Sequence, residues 1–276
     1  MRYFITFSYN GTDFHGSQTQ PNGNTVQAEM EAAFATILRE PVALTFAGRT
    51  DAGVHAEKMV AHFDWPQAQS ANPSSHPSAN LGRLRSLPAN LVGHRLSLPA
   101  NLVGRLNSLL PASIAVQAIQ RVTDDAHARF DATSRTYHYR ITTRKDPFTV
   151  QFRTRVGSIL DFTAMNEASK ALLGKQDFAS FCRAHTDVKT TICDVREARW
   201  VKENEYEACF VITADRFLRN MVRAVVGTLF EVGKGKMTAD EFAQVIAAKD
   251  RCKAGHSAPA EGLALIEITY PNNIIL

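Results

Sequence analysis

The sequence predicts an α+β protein built on a mostly antiparallel sheet. Three observations carry that prediction. Segments of period-two alternation, the mark of a strand, are interspersed with segments of 3.6-residue period, the mark of a helix. The two kinds do not follow the regular βαβα beat of a doubly wound fold. A length of 276 residues suits two domains, at about 150 residues each.

The elements follow in order. Residues 2 to 9 alternate as a strand and end at the turn Asn10-Gly11. A helix is expected from about Thr25, with Asn24 as N-cap and Gln27 three residues on. Val26, Met30, Phe34, Ile37 and Leu38 give it an apolar stripe, and Pro41 stops it. Val42 to Phe46 and Met59 to Phe63 read as strands on either side of a loop, Gly48 to His55. Ser113 to Val122 and Ser134 to Thr142 read as further strands, the second with Tyr137, Tyr139 and Ile141 on one face. Asp161 is placed to cap a helix that runs to about Leu173 and closes at Gly174. Thr190 to Val201 and Glu205 to Ala214 form a pair of strands. Phe217 to Val232 is the clearest helical stripe, Ala239 to Ala248 a further helix, and Leu263 to Tyr270 a final strand.

Residues 66 to about 108 break this pattern. Leu-Pro-Ala-Asn-Leu-Val-Gly occurs at 87–93 and again at 98–104. Each copy carries a Pro and a Gly, which disfavour helix. Two copies are too few for a solenoid. The stretch therefore reads as a duplicated surface insertion, a low-complexity expansion without ordered structure.

Composition excludes several classes. At 45% hydrophobic and 21% charged, the chain is neither a disordered tail, nor collagen-like, nor a disulfide miniprotein. No apolar run approaches the roughly 20 residues of a membrane helix. The first residues read as a strand rather than a signal peptide, so a cytoplasmic location with reduced thiols is expected. The four cysteines form no C-x-x-C pair, which disfavours a thiolate metal site. Net charge is +4. The four arginines between residues 66 and 110, a stretch without acids, account for all of it. Net charge is thus weak support for a nucleic-acid partner; any basic surface has to come from local clustering.

Familiar catalytic signatures fail. There is no P-loop, no G-x-S-x-G and no H-E-x-x-H. His55-Ala56-Glu57 matches the H-x-E half of a zinc deaminase, but the P-C-x-x-C half is missing. The stretch Gly48-Arg49-Thr50-Asp51-Ala52-Gly53-Val54-His55-Ala56 admits two readings. One is a tight turn in which Asp51 bonds its own backbone, and local chemistry alone favours it. The other is a working carboxylate on a rigid loop, with Arg49 as a nearby cation. Arg216, Arg219 and Arg223 fall on one margin of the long helical stripe. They are either solvated, phosphate-binding, or a cation source for a carboxylate. Tyr137, flanked by Arg135 and Arg140, is either a packing residue or a platform for a nucleobase.

Eight blocks in order resemble one family closely. They are Tyr9 to Thr12, Thr25 to Gln27, Gly48 to Ala56, His127 to Ala132, Arg135 to Tyr139, Asp177 to Cys182, Phe217 to Arg223 and Ala258 to Leu263. The chain is identified by them as similar to the tRNA pseudouridine synthase A family. The resemblance implies two related α/β domains, residues 1–122 with the catalytic loop and residues 123–276, forming one long sheet with a central RNA-binding cleft. It implies isomerisation of uridines 38 to 40 in the tRNA anticodon stem-loop by a homodimer that needs no cofactor and no metal. It implies that Asp51 is catalytic, that Arg223 pairs with it, and that Arg49 displaces the target base. Tyr137 is expected against that base, with His55 and Arg219 as further substrate contacts. The rival readings are a non-catalytic RNA-binding or RNA-folding module and a synthase for another RNA. Two departures stand out: Ser17 where the family usually has an aromatic, and Ala126 where it usually has Phe.

Overall fold

The computed structural model describes residues 1–21, 23–66, 97–157, 159–183 and 189–276. Among these, ten strands form one sheet in the order β4-β1-β3-β10-β5-β9-β8-β7. The strands on that path are β1 (Arg2–Tyr9), β3 (His55–Asp64), β4 (Ile114–Val122), β5 (Ser134–Thr142), β7 (Gly174–Asp177), β8 (Ile192–Lys202), β9 (Glu207–Ala214) and β10 (Leu263–Thr269). Two short strands pair off the path, β2 (Thr45–Phe46) with β3 and β6 (Thr154–Arg155) with β5. Only β3–β10 and β5–β6 are parallel. The expected mostly antiparallel α+β sheet is what the chain forms.

The helices are α1 (Val26–Leu38), α2 (Leu102–Leu109), α3 (Phe162–Ser169), α4 (Met221–Gly233) and α5 (Ala239–Ala248). They separate the interior into two cores. Met30, Phe34, Leu102 and Leu106 of α1 and α2 pack with Ile5 and Phe7 of β1. Met165, Val225, Leu229 and Phe242 of α3 to α5 pack with Tyr139 of β5 and Phe210 of β9. The first core also takes Leu265 and Ile268 from β10, which ties the end of the sequence to its beginning. Tyr137 packs against both cores and so marks the seam between them.

Several expectations are corrected. Thr25, not Asn24, caps α1; its side chain accepts from the backbone N–H of Ala28. The helix expected from Phe217 starts at Met221, because Asn220 sits in the left-handed region at φ 66°. Arg216 and Arg219 therefore precede the helix, and only Arg223 lies on it. Of the supposed insertion, residues 67–96 lie outside the described residues. The remainder is ordered, against expectation: α2 starts in the second repeat copy, runs past it, and buries Leu102 and Leu106 against the first core. Gly104 is tolerated there because the i, i+4 leucine pair anchors the helix face.

A turn at residues 127–131 is fixed from several directions. The N–H of Ala128 donates to Nδ1 of His62 at 3.1 Å, and the Tyr270 hydroxyl donates to the Ala128 carbonyl at 2.6 Å. Burial, helped by Arg2 and His127, pushes the His62 imidazole down to about 4, against the opposing pull of Asp64 and Asp131. The unfolded imidazole titrates near about 6.5. Neutral His62 thus stabilises the fold fully above that pH, and the contribution is lost as pH falls towards 4. The urea midpoint should decline over this window. His62→Asn, which keeps an acceptor for Ala128, should flatten the decline; an unchanged slope in that variant would remove His62 as its source.

Candidate active site

The loop between β2 and β3 carries Asp51, and the chain around residues 10 to 17 clamps it. The N–H of Thr50 donates to the buried Ser17 hydroxyl at 2.9 Å, and the N–H of Ser17 donates back to the Thr50 carbonyl at 3.2 Å. The Tyr9 and Thr50 hydroxyls lie 2.8 Å apart in the core. Gly11 has to be glycine: a Cβ there would stand 2.0 Å from the Val54 carbonyl oxygen. Gly16 and Gly53 hold left-handed angles of +101° and +77° that favour glycine. Ser17 departs from the family pattern, yet its hydroxyl pairs with the residue next to Asp51. The functional weight of that position was not visible in the sequence, where the only signal was the departure itself.

The structure brings Asp51, Arg223 and Arg219 together across about 170 residues of sequence. Nη1 of Arg223 stands 3.5 Å from one Asp51 oxygen, and Nε of Arg219 stands 3.9 Å from the other. Both are charge contacts, too long for good hydrogen bonds. Arg223 is the fixed member. Its Nε donates to the Ala258 carbonyl at 2.7 Å, and its own carbonyl accepts from the Ala258 N–H at 2.9 Å. The Arg219 side chain is 53% exposed, against 21% for Arg223. Asp51 is 26% exposed, so a substrate atom can reach it.

Tyr137 on β5 sits at the seam with its ring edge-on to Phe217, centroids 5.1 Å apart. Burial pushes its phenol up to about 12, and the Asp51 charge adds to the rise while Arg135 opposes it. Arg135, two residues earlier on the same face, donates to the carbonyls of Ala132, Asp215, Ala47 and Arg129. It thereby joins the approach to the Asp51 loop to the 127–131 turn. Arg49 is exposed, and its side chain makes no hydrogen bond or ion pair among the described residues.

His55 stands apart from this group. It is 4% exposed. Its Nδ1 accepts from the Gly11 N–H at 3.0 Å, and its Nε2 lies 3.2 Å from the Glu261 carbonyl. Burial lowers its basicity. Both ring nitrogens are engaged by the protein, which gives this expected substrate contact a structural role as a clamp. It holds the 10–17 segment against the start of β10.

A profile of the family described as tRNA pseudouridine synthase matches residues 168–271. Fold, loop and this match define the class: a pseudouridine synthase of tRNA. A protein of Parabacteroides distasonis named tRNA pseudouridine synthase A is 50% identical over 99% of this chain and 97% of its own length. Proteins of the same name from Bacteroides fragilis and Bacillus pumilus are 48% and 37% identical, each over 99% of this chain and at least 98% of its own length. The chain belongs to the tRNA pseudouridine synthase A family.

Proposed function

We propose that this isomerase converts uridine to pseudouridine at positions 38, 39 and 40 of the tRNA anticodon stem-loop, with Asp51 as the catalytic carboxylate. The carrying observation is the Asp51–Arg223 contact, 3.5 Å long and held on a clamped loop. The reaction breaks the N1–C1′ bond and forms a C5–C1′ bond. A proton leaves C5 and N1 takes one up, so the atoms balance and no electron acceptor or group donor enters. The uracil has to leave its stack, at a cost of a few kcal/mol. In this reading Arg49, exposed at the loop's start, takes the place of the displaced base.

Asp51 starts the reaction by one of three routes: attack at C1′, removal of a proton from C2′, or addition to C6. Deuterium at C2′ slows only the second. Arg223, tied to Ala258, sets where the carboxylate points, and Arg219 has exposed surface to offer an RNA phosphate. Tyr137 supports the uracil from below, its neutral phenol close to C5 as the proton departs. Tyr137→Phe keeps the ring and loses the hydroxyl. Its expected result is unchanged tRNA affinity with single-turnover rates lowered about 100-fold; wild-type rates would remove the phenol from the chemistry.

We further propose that the halves 1–122 and 123–276 are two domains walling the cleft, and that the protein works as a cytoplasmic homodimer. Among the described residues no helix is long and apolar enough to cross a membrane. The test is to incubate purified protein, without added metal or nucleotide, with unmodified tRNAs bearing uridines at 38, 39 and 40. Product at those sites, absent with Asp51→Ala, is expected. Product elsewhere would reassign the target, and tight binding without product would leave a non-catalytic RNA-binding protein.

A further inference from the structure

The 127–131 turn is one of the most heavily tethered segments outside the active site, and the chemistry above gives it no task. The N–H of His127 donates to an Asp131 oxygen at 2.7 Å, and the N–H of Asp131 returns to the His127 carbonyl at 3.1 Å. Nδ1 of His127 accepts from the N–H of Arg129 at 3.1 Å. His62, Tyr270 and Arg135 hold the backbone from outside the turn. All of this rigidity presents two outward side chains, Arg129 and Phe130. Phe130 is 73% exposed. Its ring rests on His127 at 4.3 Å on one side, and the Arg129 guanidinium stands 5.8 Å from its centroid. Arg129 makes no ion pair among the described residues.

A single exposed aromatic is ordinary on a protein surface; this one is distinguished by its fixed backbone and the cation beside its ring. Position and charge indicate the occupant. The Arg135 guanidinium bonds both the Arg129 carbonyl and the Ala47 carbonyl, four residues before Asp51. Arg135 lies two residues from Tyr137 on the same face of β5, a separation of about 7 Å along a strand. The platform is therefore tied, through one guanidinium, to the chain that leads into the Asp51 loop. A fixed aromatic with a free guanidinium beside it offers stacking to a base and charge to its phosphate.

We propose that Arg129 and Phe130 form a second RNA subsite, in which an unpaired nucleobase of the substrate stacks on Phe130 while Arg129 neutralises a neighbouring phosphate. The subsite deepens the tRNA-modifying reading and rests on it. It grips a nucleotide other than the target uridine, so its energy goes into binding and placement rather than into the bond changes.

The test uses the full chain and one unmodified tRNA transcript. Phe130→Ala and Phe130→Leu should each raise the Kd about tenfold, and Phe130→Tyr should restore it. The rate at saturating RNA should stay within about threefold of wild type in all three. Arg129→Gln should reduce the slope of log Kd against log salt by about one, a change the Phe130 variants do not make. A wild type that makes pseudouridine, with a Leu variant that binds equally tightly, overturns the subsite and leaves the function standing. A wild type that binds without product, with Ala and Leu variants that lose affinity, supports the subsite and overturns the function. Altered sedimentation with unchanged RNA affinity would make the patch a protein contact and overturn the proposal.

Discussion

Asp51→Asn is expected to lower single-turnover pseudouridine formation by about 1,000-fold or more while the protein binds tRNA at least as tightly as before. Asparagine has nearly the same shape, but it is a poor nucleophile and a poor base at neutral pH. The loop has no need of the charge for its conformation. Thr50 is held by Ser17 and Tyr9, and the N–H of Val54 donates to the Asp51 backbone carbonyl at 3.2 Å. Loss of one negative charge between Arg219 and Arg223 leaves the cleft more positive, which favours a polyanion. The measurement is rate and Kd on the same transcript, with a melting curve to check the fold. Turnover near the wild-type rate would take the carboxylate out of the mechanism.

Gly227→Ala is expected to reach the same site from behind. A Cβ on Gly227 would lie 1.7 Å from the His256 carbonyl oxygen and 3.1 Å from the Ala258 nitrogen, both backbone atoms. Backbone cannot swing aside as a flexible side chain can. Either α4 or the 255–258 segment has to shift, at a cost of about 1–3 kcal/mol. At this chain length each kcal/mol corresponds to about 2–4 °C of melting temperature. The strain falls on Ala258, the residue that grips Arg223 through two hydrogen bonds. Activity should therefore fall even well below the melting temperature. A variant that melts within about one degree of wild type would show that the close approach relaxes without cost.

The elements that were legible in the sequence are those whose own side chains define them. Ser134–Thr142 is a strand over the expected residues because its alternation is strict and Tyr139 and Ile141 are buried together. Ala239–Ala248 is a helix over the expected residues, with Thr238 and Glu241 closing a capping box at its start. The misses share a different cause. Phe217 and Leu218 keep the helical apolar spacing but precede the helix, because Asn220 turns the backbone left-handed. The strands at 174–177 and 154–155 have too few residues to show a period, and neighbours supply their pairing. At the end of the second repeat copy, proline and glycine drew attention away from Leu102 and from Leu106 just beyond it, whose spacing was the surviving signal.

The site was legible in parts. The Asp51 loop stands out for its glycines, yet nothing local ties it to Arg223. That contact arises only when the loop before β3 comes to lie beside the first turn of α4, and it entered the reading through family resemblance. The partners of His55 were hidden for the same reason. A histidine four residues from Asp51 reads as a site residue, and nothing near it in sequence shows that its two ring nitrogens meet Gly11 and Glu261.

The central position of β10 has a consequence for how the protein comes into being. Residues 263–269 are translated after every other strand of the sheet, yet they lie between β3 and β5. The join to β3 is short, with Ala264 opposite His55 and Leu265 opposite Ala56. A nascent chain on the ribosome can pack α1 against β1 and α4 against β9, but the sheet stays open between β3 and β5. Until β10 emerges, no backbone ladder joins the two parts of the sheet. The backbone ladder of the sheet is therefore completed in a single late step.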